Sequence, residues 1–537
     1  MGILALYDIK GIQEYIFSSD KLKENLGASL IVEELLQNDL VDSIREEVPG
    51  AQCEWEKATC FAMNSSSPPK AEVIYIGGGN AMVAYLDESL YKNVNKALSK
   101  KVLGKAEGLI KVVAASILTD YKSFSTDQHE LYRVMNREKA SHLQSMPLMG
   151  ISITREGASD GLPAQIIDER EYISRPAYEK RKRAKSDRFS ELIEHTKRNR
   201  YRFPDEFNDL TERGVENFIA VVHIDGNNMG KKLESLLKDE KSYDNAVSIM
   251  RNFALDINSV YQDTMKDLIK KLMEKMQKQN GNETEGKCFL PLRPLVLNGD
   301  DVTFVTRGKL GLACAAYFLR ALSGKSTADG AALSACAGVA IVKSHFPFYR
   351  AYELAEALCQ SAKTKGKIIA CQTSKDMASW IDYHIVYSGV TTELDQLRTH
   401  HYNIPSQPPL KALIYEEAGK PVITQNCYHL LWRPWCISGE TENPYQWEHL
   451  TDIIKKFREE DECGNDKWPR SKIKGLRNAM ISSQENVDVY LKELESRDLI
   501  LPPFNGGNSQ VFIIQDGSIQ TPYFDAIDLL DFYDDIE

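Results

Sequence analysis

An apolar run from Ile3 to Tyr7 ends at Asp8, and behind it apolar residues recur at helical spacing, Ile12, Tyr15 and Ile16 first, then Leu30, Ile31 and Leu35. That spacing predicts a strand followed by a long helix from Ile12 to about Leu40. Val73 to Ile76 and Met82 to Leu86 flank Gly77-Gly78-Gly79-Asn80, which predicts a hairpin, because glycine supplies the positive φ that a tight reversal needs. A helix near Glu88 to Lys100 and a strand over Lys111 to Leu118 complete the order β-α-β-β-α-β. In that split unit two helices cover one face of a four-stranded antiparallel sheet.

The pattern then returns. Phe218 to Ile224 ends at Asp225, a long helix runs through Met250, Leu255 and Leu268, and Leu295 to Leu297 enters Asn298-Gly299-Asp300-Asp301. Val302 to Val305, a helix over Leu310 to Leu322, a strand over Leu333 to Val342 and a helix from Tyr352 to Lys363 follow. Gly77 stands 69 positions after Asp8 and Asn298 stands 73 after Asp225, so one architecture is used twice. The expected fold class is α+β, two ferredoxin-like domains packed together over residues 1–150 and 215–375. A connecting segment over 151–214 joins them, and a mainly helical domain over 376–537 follows. That last region is punctuated at Ser406 to Pro409 and Pro502 to Gly507, is helical over Ile473 to Leu494, and closes in an acidic tail from Asp525 to Glu537.

Bulk composition narrows the function. With 66 Lys and Arg against 77 Asp and Glu, the net charge of -11 argues against a protein that coats nucleic acid through its overall field. One basic stretch remains, Lys180 to Arg202, with ten Lys or Arg against three Asp or Glu; a charged linker helix and an RNA or triphosphate contact are both open readings. No apolar run reaches the roughly 18 residues of a membrane span, so a cytoplasmic protein without a membrane partner is expected. The ten cysteines include no CxxC pair, and His400 and His401 are the one adjacent histidine pair, without HExxH spacing. Zinc ribbon, thioredoxin-like and zincin chemistry therefore lack their ligand patterns.

Chemistry is concentrated in the second repeat. A hairpin tipped by Asn298, Gly299, Asp300 and Asp301 places carboxylates at a sheet edge, and Asp225, ending the neighbouring strand, faces them. Carboxylates suit hard divalent cations, and two such ions serve nucleotidyl transfer, one on the attacking hydroxyl and one on the triphosphate. The expected ligands of magnesium, or manganese, are Asp225, Asp300, Asp301 and the Ile224 carbonyl. Gly226, Asn227, Asn228, Met229 and Gly230 precede a helix, where free N–H groups and the dipole favour phosphate, and Lys363, Lys365 or Lys367 closes the last helix within reach of it. In the first repeat Asp8 has no acidic turn, so this half is expected to be catalytically silent; Gly11, Gln13, Gly77, Gly78, Gly79 and Asn80 still suit a second nucleotide.

These motifs resemble a known family, the large polymerase-cyclase subunit of type III CRISPR effector complexes, and more distantly the GGDEF and class III cyclase domains. The resemblance rests on Asp8-Ile9-Lys10-Gly11-Ile12-Gln13-Glu14-Tyr15-Ile16-Phe17 with Gly27-Ala28-Ser29, on Gly77 to Asn80, Asp225 to Gly230, Asn298 to Asp301, and Ala337-Gly338-Val339-Ala340. It implies two facing palm domains, two ATP molecules between them, and synthesis of a cyclic or linear oligoadenylate-type messenger in antiviral defence. Asp225, Asp300 and Asp301 match the family's metal-binding carboxylates, with Asn298 in place of the first glycine of a Gly-Gly-Asp-Asp turn. Because the sequence opens on the first palm, the family's HD nuclease is not expected, and Ser159 to Ala164 stands where relatives often carry zinc cysteines. A stand-alone enzyme, a reduced effector subunit that binds RNA or other CRISPR-type subunits, a non-catalytic nucleotide-binding scaffold, and a homo-oligomer all stay open at this point.

Overall fold

The computed structural model describes residues 2–58, 60–141, 150–186, 188–211, 217–238, 240–280, 288–327, 330, 332–387, 393–405, 414–417, 420–423, 427–438, 443–504, 510–515 and 518–537. The punctuation read at Ser406 to Pro409, and half of that at Pro502 to Gly507, lies outside these residues.

Both repeats fold as α+β units. In the first, β1 (Gly2–Lys10), β2 (Ala71–Gly77), β3 (Asn80–Tyr85) and β4 (Lys111–Thr119) form an antiparallel sheet in the order β2-β3-β1-β4. Its helices are α1 (Ile12–Phe17), α2 (Leu22–Glu34), α3 (Val41–Glu47), α4 (Glu88–Ala106) and α5 (Phe124–Ser141). The single helix expected from Ile12 to Leu40 is therefore broken at residues 18–21. Short polar side chains there bond locally instead of continuing the turn: the Lys21 N–H donates to Ser19 Oγ at 3.1 Å, and Ser19 Oγ donates to Glu24 at 2.6 Å. A one-turn π-helix over Leu35–Leu40 then links α2 to α3.

The connecting segment supplies the hairpin β5 (Ile166–Asp168) and β6 (Glu171–Ile173) and the helix α6 (Arg175–Ala184). Gly27 of α2 lets α6 approach to backbone contact, since a Cβ there would stand 1.7 Å from the Lys180 carbonyl oxygen. Much of the basic stretch is consumed in this packing. Arg181 donates to Glu24 and Glu171 at 2.7 Å each, Arg183 pairs with Glu34, and Arg188 pairs with Glu33. Lys180 is buried and donates to the Tyr15 carbonyl at 2.8 Å, and burial lowers its pKa to about 8. Lys182 and Lys185 remain exposed on this helix and its C-terminus.

After a short parallel pairing of β7 (Tyr201–Arg202) with β9 (Cys288–Phe289), the second unit repeats the first. Its strands β8 (Phe218–Gly226), β10 (Leu292–Asn298), β11 (Asp301–Arg307) and β12 (Ala335–Lys343) stand in the order β10-β11-β8-β12, all antiparallel. Helices α7 (Met229–Leu237) and α8 (Tyr243–Asn280) follow β8, α9 (Gly311–Ser323) follows β11, and α10 (Phe348–Thr373) follows β12. Since α10 runs on to Thr373, Lys363, Lys365 and Lys367 lie inside it rather than closing it. Gly366 permits this, because a Cβ there would meet Met377 at 2.7 Å and Trp380 at 2.8 Å.

This second sheet does not end at residue 375, where the sequence pattern suggests a boundary. β13 (Trp380–Ile385) adds in parallel to β12, and Trp435–Cys436 adds antiparallel to β13, making six strands. The remaining region carries the helices Leu394–Tyr402, Trp447–Phe457, Arg470–Ser482, Gln484–Glu495 and Pro522–Leu529, and one four-stranded sheet of short strands. The acidic end starts inside the fold, with Asp525 and Asp528 buried and Asp531, Asp534, Asp535 and Glu537 exposed. Asp525 is fully buried and accepts from the Arg433 N–H at 2.9 Å and the Trp435 indole N–H at 3.1 Å, although burial still raises its pKa to about 6.

Strand alternation divides the second sheet between two cores. Ala220, Val222, Ile224, Val302 and Phe304 join Tyr261, Met265 and Leu268 of α8, with α9 and the C-terminal region. Ile219, Val221 and Val305 join Ala351, Tyr352 and Leu358 of α10 and the first unit's sheet. The two units are thus one packed body. Phe17 stacks on Tyr352 with ring centroids 3.8 Å apart, Asp20 caps α10 by accepting from the Phe348 N–H at 2.8 Å, and buried Arg251 of α8 donates to Glu72 at 2.9 Å and to the Ile74 carbonyl at 2.9 Å.

Candidate active site

Two glycine turns meet where the units face each other. Gly78, Gly79 and Gly299 all hold positive φ, and a Cβ on Gly299 would stand 3.9 Å from the Gly78 nitrogen. The acidic rim lies at this meeting point. Asp225 is the direct ladder partner of Asp301, and Asn298 pairs with Asp301 across the hairpin. Asp225 and Asp301 share strand parity with Val221 and Val305, so they stand on the α10 side of the sheet.

Asp300 turns the other way. A Cβ on Gly226 would fall 2.8 Å from Asp300 Cβ, 2.8 Å from Asp300 Oδ2 and 2.9 Å from the Tyr261 hydroxyl, placing Asp300 on the α8 side. The Gly226 N–H donates to the Asp300 carbonyl at 3.2 Å and fixes that approach. The expected trio is therefore a facing pair plus one carboxylate behind the sheet end. Among the described residues, no group of three or more His, Cys, Asp or Glu side chains stands gathered to hold a metal ion.

A lysine holds the pair in balance. Lys363 Nζ donates to Asp225 Oδ2 at 2.5 Å and to the Gly226 carbonyl at 2.9 Å. Asp301 is half-exposed, yet its Oδ1 is shielded from solvent and accepts no hydrogen bond; it lies 3.6 Å from His223 Nδ1, which itself sits 3.2 Å from Thr303 Oγ1. Burial, and next the Asp225 charge, raise Asp300 to about 6 and Asp301 to about 7. Burial lowers the His223 pKa, so this ring faces Asp301 as a neutral group.

Of the loop residues, Asn227 is buried and donates to Ser334 Oγ at 3.0 Å and the Ala378 carbonyl at 3.2 Å, which leaves its own Oδ1 without a partner. Asn228 adopts the left-handed conformation that opens α7, with Met229 and Gly230 in its first turn. Lys365 lies over the Tyr445 ring at 4.0 Å, and Lys367 is exposed. In the first unit Asp8 pairs in register with Asn80, whose Oδ1 accepts from Tyr75 at 2.5 Å, and Lys139 Nζ reaches Asp8 Oδ2 at 2.8 Å. Gly11 opens α1 at positive φ, one residue before Ile12, and Gln13 is partly buried beside it. Gly77 pairs with Asn80 as Asn298 pairs with Asp301.

Four neighbours escaped the sequence reading: His223, Tyr261, Tyr352 and Glu356. Glu356 lies two helical turns before Lys363 on the same face of α10, and its charge is among the causes that raise Asp301 and Tyr352. That spacing was a usable signal. The hydroxyls of Tyr261 and Tyr352 are buried without a hydrogen-bond partner, a property of packing that no local pattern displays.

Comparison with known proteins places this arrangement. Residues 218–369 match the family model Cas10/Cmr2, second palm domain. No curated protein matches. Among solved structures, a Csm1-Csm4 cassette in complex with cA4 has a TM-score of 0.55 at 12% identity, covering 99% of this chain and 69% of the other. The same cassette in complex with AMPPNP gives 0.55 at 11%, covering 99% and 69%. A Csm1-Csm4 subcomplex in the type III-A CRISPR-Csm interference complex gives 0.52 at 12%, covering 99% and 69%. No helix among the described residues is long and apolar enough to cross a membrane. In its second palm by family model, and along nearly its whole length by fold, the chain resembles the Cas10-type large subunit of type III CRISPR complexes.

Proposed function

We propose that the second palm binds a nucleoside triphosphate with divalent cations and transfers its nucleotidyl group to the hydroxyl of a second nucleotide, giving a cyclic or linear oligoadenylate-type messenger. The observation that carries this reading is the in-register pairing of Asp225 with Asp301 at a rim facing the first palm's glycine turn. The donor set suits a hard cation: a shielded Asp301 oxygen lacks a partner among the described residues, and burial, with the charge of Asp225 next, pushes both turn carboxylates toward protonation. Magnesium, or manganese in its place, would supply activation of the attacking hydroxyl and charge neutralisation on the leaving pyrophosphate.

The chain's residues take distinct parts. Asp225 and Asp301, with the Ile224 carbonyl, would hold the cations, and Asp300 would add charge from the α8 side. Lys363 already bears on Asp225 and from there would offer its ammonium to the triphosphate. Asn228, Met229 and Gly230 present backbone N–H groups to phosphate, whereas those of Gly226 and Asn227 are already given to the Asp300 and Ser334 carbonyls; Asn298 and Gly299 keep the turn small, and Lys367 supplies further positive charge at the edge. The first palm, whose turn is neutral, holds the acceptor nucleotide through Gly11, Gln13, Gly77, Gly78, Gly79 and Asn80 beside Asp8. Solved cassettes of like fold contain AMPPNP, pppApA, cA3 and cA4, which favours adenine nucleotides here too. Their Csm4 subunits favour a comparable partner subunit, within an antiviral assembly in the cytoplasm.

Pyrophosphate release from each NTP with magnesium, compared between wild type and Asp300→Ala/Asp301→Ala, tests the reading. Release by wild type alone, with oligoadenylate masses in its products, is expected; equal release by both proteins ends the catalytic claim.

A further inference from the structure

The Tyr261 hydroxyl is one of several buried side-chain groups without a hydrogen-bond partner among the described residues, and it stands beside Asp300. Its ring is fully buried in α8 and packs toward Phe318 with centroids 6.1 Å apart, yet its oxygen is shielded from solvent and has no hydrogen-bond partner among the described residues. A buried hydroxyl left unpaired is disfavoured over a phenylalanine of the same shape, so a tyrosine here points to a partner gained in another state of the site. The neighbour is identifiable. Tyr261 Oη and Asp300 Oδ2 crowd one point beside Gly226, where a Cβ would be 2.9 Å from the first and 2.8 Å from the second. Gly226 leaves that point empty, so neither oxygen is screened from the other by a side chain.

We propose that Tyr261 is a positioning residue for Asp300, donating a hydrogen bond from its hydroxyl to one carboxylate oxygen and so orienting the other toward the rim when a divalent cation is present. The inference rests on the cation-binding reading of the rim and adds to it a division of the turn: Asp301 works with Asp225 on one side of the sheet end, and Asp300 works with Tyr261 on the other. Strand parity supports this division, because Gly226 shares a face with Ala220, Val222 and Ile224, which pack with Tyr261, whereas Asp225 and Asp301 share one with Val221 and Val305, which pack with α10. A hydrogen bond to an ionised group stabilises it more than one between neutral groups, so an ionised Asp300 gains most from this donor.

The test is Mn2+ titration of the full chain without nucleotide, followed by electron paramagnetic resonance, on wild type, Tyr261→Phe, Asp300→Asn and the double variant. Thermal melts without metal accompany each titration, because Phe keeps the ring and its packing. Tyr261→Phe is expected to weaken Mn2+ binding about tenfold and to raise the metal concentration for half-maximal turnover while leaving the KM for triphosphate in place. In the double variant binding is expected to be no weaker than in Asp300→Asn alone, since the tyrosine acts only through that carboxylate. Wild-type affinity in Tyr261→Phe, or additive losses in the double variant, overturns the positioning role alone. Wild type that takes up no Mn2+ overturns the cation-binding reading and this proposal with it.

Discussion

The two palms are built alike to the level of single ladder pairs, and they differ at their turns. Each has the register irregularity at the same place, between Val73 and Tyr75 and between Pro294 and Val296. Each carries near the end of its first strand an aspartate that receives a lysine from the helix after the fourth strand, Lys139 on Asp8 at 2.8 Å and Lys363 on Asp225 at 2.5 Å. The lysines stand at matching distances along the chain, Lys139 beyond Thr119 and Lys363 beyond Lys343. Even the bond that closes the turn recurs, Ile9 N–H to Gly79 carbonyl at 3.1 Å and Gly226 N–H to Asp300 carbonyl at 3.2 Å. What changes is volume and charge: Gly79 and Asn80 against Asp300 and Asp301, and Ile9 against Gly226. The Asp–Lys pair is thus compatible with a silent half, and the second palm's chemistry is attached to its acidic turn and the glycine that makes room for it.

The largest effect expected from breaking this difference is at the paired carboxylates. Asp301→Asn keeps the shape of the turn and should lower turnover by about three orders of magnitude, as loss of several kcal/mol of transition-state stabilisation requires. Asp8→Asn, its control in the first palm, should cost about tenfold or less and act on KM. Steady-state pyrophosphate assays on both variants decide whether the palms are functionally unlike.

Next in size is Gly226→Ala, which imports part of the first palm's bulk into the second. Its Cβ would stand within 2.9 Å of Asp300 and Tyr261, so overpacking of about 1–3 kcal/mol is expected, together with a fall in turnover of about a hundredfold as the turn is pushed away. Chemical denaturation measures the first quantity and the same assay the second. An unchanged midpoint with full activity would show that the turn has slack the geometry does not display.

Lys363→Ala and Lys139→Ala test the shared feature instead. Loss of Lys363 should reduce turnover about ten- to a hundredfold through the triphosphate, whereas loss of Lys139 should reduce it only a few-fold. Equal effects would mean that both lysines serve one function.

Much of this comparison was legible in the sequence. Alternating apolar strands, two turns at nearly equal spacing and Asp8 and Asp225 at strand ends together predicted the duplicated sheet and its acidic rim. Less visible was anything decided by packing at long range. Within the helix break at Ser18 to Lys21, Asp20 reaches α10, and much of the basic stretch is neutralised by Glu24, Glu33 and Glu34 far back in the chain. The split of the trio was hidden because a turn residue escapes strand alternation; Asp300 faces α8 only because Gly226 admits it. Tyr261 reads as one more apolar position of a long helix, and Glu356 was overlooked although its spacing from Lys363 announced a shared face.

The smallest effect expected sharpens the comparison through pH. Asp300 and Asp301 are raised to about 6 and about 7, above the ordinary carboxylate value, and burial is the first cause of each. A raised acid binds its proton more tightly folded than unfolded, so the metal-free protein loses stability as pH climbs from about 4 towards 7 and then levels off. A cation competes with those protons and gains as they leave. The rise in melting temperature on adding magnesium should therefore be slight at pH 5 and grow by a few degrees through pH 6 to 7.5. In Asp300→Asn/Asp301→Asn it should stay flat, because the first palm's Asp8 already has Lys139 as its counter-charge. A magnesium shift independent of pH in wild type would mean that the cation is held away from the turn, and the unlikeness of the two palms would then have to be sought elsewhere.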